Sequence, residues 1–137
     1  HASYCYKGQG PAGLASALYP PPTPPPPESV PAASPQIALP ASLTGKAATG
    51  QRAFAAFCAS CHGENGGGGT GKGPPLIHRI YEPNHHGDAA FFMAAANGVR
   101  AHHWQFGDMP PVEGVTRAEV ETIVAFLRAV QRENGIE

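Results

Sequence analysis

Cys58-Ala59-Ser60-Cys61-His62 places two thiols three residues apart, with an imidazole directly after the second. Residues at that spacing share a face of a helical turn. Such thiols can add to the two vinyl groups of one porphyrin, and the imidazole that follows can reach the iron from the same side. C-x-x-C-H is the attachment signature of c-type haem. A bare C-x-x-C also reads as half of a zinc site or as a redox dithiol. Zinc needs two further ligands at metal spacing. The only other cysteine, Cys5, lies beyond a long Pro-rich stretch, and no pair of histidines shows the usual H-x3-5-H spacing. A thioredoxin-like dithiol needs a βαβ pattern around it, and no strand-like run flanks the motif.

Iron held by His62 needs a sixth ligand or an open site. Gly107-Asp108-Met109-Pro110-Pro111 supplies the strongest candidate, a thioether in an irregular segment able to approach from the far side. Thioether ligation favours the reduced state and raises the potential. Met93, the only other methionine, lies mid-helix beside Phe92 and reads as core. A bis-imidazole alternative would use His78, His102 or His103.

The elements that must position these groups read as helices. Gly50 to Phe57 is Ala-rich and free of proline, so it should be helical and run into the motif. Phe54, Phe57, Cys58 and Cys61 then fall at i, i+3, i+4 and i+7, presenting an apolar stripe together with both thiols. Gly63 to Gly73, with four consecutive glycines at 66–69, is a loop. Asp88 to Asn97 is a short helix with Asp88 at its N-cap and Gly98 past its end, lined on one side by Phe91, Phe92 and Ala95. Thr116-Arg117-Ala118-Glu119 is a capping box, after which Val120, Ile123, Val124 and Leu127 repeat at helical spacing as far as Asn134-Gly135. The expectation is an all-α domain over residues 45–137, with about three helices and long Gly/Pro loops. So small a helical core is marginal alone; a porphyrin packed inside would supply an apolar centre.

Eleven of the 16 prolines fall in the first 40 residues, so residues 1–44 read as an extended tail or linker. Pro20 to Pro27 reads as polyproline II, about 25 Å long at ~3.1 Å per residue. It is either a semi-rigid spacer or an arm that docks on a partner. Cys5 offers a lipid-anchor site, half of an intermolecular disulfide, or a bystander. A free His1 could chelate copper through its amine and ring. No apolar run approaches the ~18 residues of a membrane span, no secretory signal is visible, and a chain starting at His1 without Met reads as processed or trimmed. The formal net charge of −1 argues against a nucleic-acid binder.

Gly50, Phe54, Cys58-x-x-Cys61-His62, Gly73-Pro74, Met109-Pro110 and the final helix with Phe126-Leu127 resemble a class I, mono-haem cytochrome c of bacterial type, in that order and with those gaps. The resemblance covers roughly residues 45–134. It implies one covalent haem c, with His62 and Met109 on the iron. It implies that Gly50 lets the first and last helices cross closely, and that the Pro74 carbonyl accepts the Nδ1 proton of His62. Phe126 stands where the family often has Tyr or Trp. Trp104 could donate to a haem propionate, as an indole does in some members.

His85-His86 and His102-His103 depart from that pattern. They read either as solvated loop histidines, as pH-sensitive charges beside the haem, or as a second metal site for copper or zinc. The pairs flank a ten-residue helix, about 15 Å long at ~1.5 Å per residue. They meet only if a loop folds back along it, and adjacent side chains diverge, so each pair would more easily give one ligand than two.

The resulting expectation is an electron carrier, not an enzyme: six-coordinate iron leaves no open site, and no nucleophile–base arrangement is apparent. The family implies an exported, periplasmic or equivalent, location and redox partners, with membrane-bound ones expected and the tail as a tether. Alternatives are a cytochrome subunit of a larger membrane redox complex, docked through the tail, and a copper-handling protein using the His pairs. From residue 49 onward seven basic and nine acidic residues sum to −2, too little for strong electrostatic steering.

Overall fold

The computed structural model describes residues 36–137. The polyproline stretch, Cys5, His1 and most of the tail lie outside the described residues. Among the described residues four α-helices follow in order: α1 (Gly45–Phe57), α2 (Ala59–His62), α3 (Asp88–Asn97) and α4 (Arg117–Glu133). Between them run short 3-10 turns at Glu64–Gly66 and Arg79–Tyr81 and long loops. The nearest thing to a sheet among the described residues is one antiparallel bridge between Val99 and Met109. The architecture is the expected all-α one.

α1 and α4 make the principal contact. Gly50 is buried in α1 where α4 crosses it. A Cβ at Gly50 would stand 1.8 Å from the Thr122 carbonyl oxygen and 2.9 Å from the Phe126 Cβ. No side chain fits there, so a hydrogen at this position sets the distance between the helices. Around the crossing, Phe54 and Phe126 pack with ring centroids 5.6 Å apart. Leu76, Ile77, Ile123, Leu127 and Val130 complete the core. α4 forms where its sequence starts it: Thr116 accepts from the Glu119 N–H while Glu119 accepts from the Thr116 N–H, both halves of the capping box.

The first helix begins at Gly45 and does not run unbroken through the motif. Cys58, at φ −121°, separates α1 from α2. The Cys58 carbonyl still accepts from the N–H groups of Cys61 and His62, at 3.2 and 3.0 Å. The turn that spaces the thiols is therefore kept while the axis changes. The stretch before α1 also packs on the domain: Ile37 and Leu43 lean on the core. Ala38 exchanges two hydrogen bonds with the Asn134 side chain.

α3 spans the expected residues, with Gly87 rather than Asp88 at its N-cap. Its faces differ from the expectation. Met93 is 63% exposed and is not core. Phe92 turns away from the interior and lies under the Arg117 guanidinium, 4.6 Å from ring centroid to charge. The inward face is Ala90, Phe91, Ala94 and Ala95. The helix is apolar nearly all round, so the sequence pattern carries no period that could choose the face.

Candidate haem site

An apolar cavity opens between α1, α3, α4 and the loops that join them. Its wall includes Phe54, Cys58, His62, Pro74, Leu76, Phe91, Trp104, Met109 and Leu127. Of the residues singled out in the sequence, Cys58, His62, Pro74, Trp104 and Met109 meet here. Cys61 is buried one turn on, in α2, and does not contribute to that wall.

His62 is held in one orientation. Its Nδ1 lies 2.9 Å from the Pro74 carbonyl oxygen and donates to it, which leaves Nε2 with a free lone pair. Such an outer hydrogen bond fixes the tautomer and strengthens an imidazole ligand. Burial lowers the pKa of His62, and the bond to Pro74 partly offsets that. The ring is accordingly neutral, the form that ligates metal. The Gly-rich loop secures Pro74: the Gly68 N–H donates to the His62 carbonyl at 2.7 Å, and Thr70 Oγ1 donates to the Cys61 carbonyl. Leu76 and Ile77 both donate to the Gly66 carbonyl. The loop is thus tied back under the motif.

Cys58 carries a free thiol. Burial pushes its pKa up to about 11. It is a neutral thiol in an apolar wall, chemically suited to a thioether with an apolar macrocycle.

Met109 reaches the wall from the segment after α3. Its backbone pairs in both directions with Val99, at 2.9 and 2.8 Å. Gly98 makes that approach feasible: it ends α3 at φ +74°, and a Cβ there would lie 2.3 Å from the Met109 carbonyl oxygen. His102 and His103 also line the cavity. His78 does not. Its Nδ1 accepts from the Ile80 N–H at 3.1 Å, and its ring meets Trp104 edge-on at 5.1 Å. In this structure the Trp104 N–H donates to the Tyr81 hydroxyl at 3.0 Å. Burial raises the pKa of that hydroxyl, against a lowering from the Trp104 bond.

Sequence reasoning missed Arg128 and Gln131. Both are buried on α4, at 7% and 1% exposure. Arg128 donates to the carbonyls of Tyr81 and His86, both at 2.6 Å, to Gln131 Oε1 at 2.7 Å and to Asp88 at 2.9 Å. Its guanidinium lies 4.9 Å from the Phe91 ring centroid. Gln131 donates to the carbonyls of Leu76 and Tyr81, both at 3.1 Å. Together they clamp the 76–88 loop over the cavity. The available signal was their position: both continue the buried face begun by Val120 and Leu127.

The donor set suits a haem: an oriented neutral imidazole, a thiol and a thioether around one apolar cavity. The chain matches the cytochrome c family over residues 47–131 and belongs to that family. No curated protein and no solved structure matches the chain. Membership makes it a haem-binding, iron-containing electron-transfer protein that works with redox partners.

Proposed function

We propose that the chain carries a single haem c joined through Cys58 and Cys61, with His62 and Met109 as axial ligands, and that it shuttles single electrons between two redox proteins. Haem, when bound, supplies the one-electron couple. The protein's residues do the rest. Nε2 of His62 is presented to the cavity because Nδ1 is committed to Pro74. Met109 is presented from a separate segment because its backbone is pinned to Val99. The apolar wall excludes water, and with a thioether ligand favours the reduced state. The observation that carries this reading is that His62 and Met109, 47 positions apart in sequence, line one cavity.

Covalent haem attachment takes place after export, which supports a periplasmic or equivalent compartment. The partners we infer are membrane-bound redox proteins there, met without strong charge steering since the domain's formal charge is small. The test is redox titration of the purified protein with absorption and magnetic circular dichroism. A reversible one-electron couple with a sulfur-to-iron band in the ferric form supports the reading. A bis-imidazole spectrum would move the sixth ligand to His102 or His103, and rapid carbon monoxide binding by the ferrous form would replace the carrier with an open-site protein.

A further inference from the structure

The two histidine pairs do meet. The chain leaving α3 returns along it, and His85, His86 and His103 come together with one ring nitrogen of each within 4.8 Å of the others. Their ring centroids are 4.8, 5.4 and 5.5 Å apart. His102 stands next to them, 4.2 Å from the His103 ring. The neighbours His85 and His86 thus both contribute, contrary to the expectation that a pair gives one ligand.

We propose that His85, His86 and His103 bind one copper ion. The donors are imidazole alone, which suits copper and zinc and is poor for calcium or magnesium. At equal geometry copper(II) outranks zinc. In a tetrahedral site with bonds of about 2.0–2.1 Å, ligand atoms stand about 3.3 Å apart. The cluster therefore has to close by an ångström or so. His85 and His103 are exposed and free to turn, while His86 is half-buried. His86 is the fixed point. Its Nδ1 donates to the Ile80 carbonyl at 2.5 Å, so Nε2 is the ligating nitrogen. Its own carbonyl accepts from Arg128, which is anchored in α4. His102 donates from Nδ1 to the Arg100 carbonyl at 2.8 Å, which frees its Nε2 as a fourth donor. None of the four is a haem ligand in the reading above; His86, His102 and His103 also line the haem cavity, whereas His85 does not.

The test is a competition titration of the full-length, haem-loaded protein with copper(II) and with zinc(II) against a coloured chelator. The expected result is one copper per chain, bound tighter than about 1 µM, and zinc held more weakly. The variant H85A removes one exposed ring that does not line the haem cavity, so it folds with an unchanged haem spectrum. It should lose about 100-fold in copper affinity or more, since even outer-shell changes cost about 10–100-fold. The variant H1A should keep full affinity. Binding weaker than micromolar overturns the proposal. So does full affinity in H85A, which would assign the copper elsewhere, and so does zinc bound more tightly than copper. A haem spectrum with no copper binding sinks this inference alone, whereas a colourless protein that binds copper sinks only the haem reading.

Discussion

At the scale of single residues, two groups decide what the cavity does. Met109 is the proposed sixth ligand, and Met109→Ala should lower the midpoint potential by on the order of 0.1 V, within the ~0.8 V that axial ligands command. The same variant should lose the sulfur-to-iron band. An unchanged potential, read by spectroelectrochemistry, would show that Met109 is a wall residue only. Arg128 acts differently. It is buried, and its removal strands the His86 carbonyl and leaves the Tyr81 carbonyl with Gln131 as its one side-chain donor. Arg128→Met should cost about 2–4 kcal/mol in chemical denaturation. By contrast Lys46 and Glu121 form an exposed pair. The Lys46 bond, and then its charge, hold the Glu121 carboxyl below its ordinary range. Such a surface pair contributes little, and Lys46→Ala should leave the denaturation midpoint where it is.

At the scale of elements, two close approaches carry the geometry. Gly50→Ala places a methyl 1.8 Å from the Thr122 carbonyl. The helices must separate, and the cost should reach about 3 kcal/mol or more, read from the denaturation midpoint. A fully stable Gly50→Ala variant would mean that the crossing is looser than described. Gly98→Ala should act on function: it forces the backbone at φ +74° and drives into the Met109 carbonyl, so the thioether signature should weaken as it does in Met109→Ala. Much of this was legible in the sequence because it is local. The capping box, the motif and the Met-Pro-Pro segment each sit within a few residues of chain. Gly50 was legible only through family resemblance, since nothing in its neighbours announces a helix crossing 72 positions later. Met93 and Phe92 were misplaced because a helix apolar all round carries no phase. Arg128 was missed because its burial depends on carbonyls of a loop about 40 residues earlier in the chain, at separations of 42 and 47 residues.

At the scale of the whole molecule, a small helical shell surrounds a cavity in place of a solid centre. The core proper is a cluster of seven buried side chains, most of them on α1 and α4. An apolar macrocycle filling the cavity would bury further apolar surface on both sides, so it would be part of the fold's stability as well as its function. The histidine cluster illustrates the other side of legibility. Its residues were visible, but their convergence was not, because it requires the loop after α3 to return to the loop before it. The most direct measurement is a pyridine haemochrome assay combined with the intact mass of denatured protein, after expression in an exporting host that matures c-type haem. The account predicts one haem per chain that stays attached through denaturation and is lost from a Cys58→Ala/Cys61→Ala variant. A colourless product, or a haem that washes away on unfolding, would contradict it.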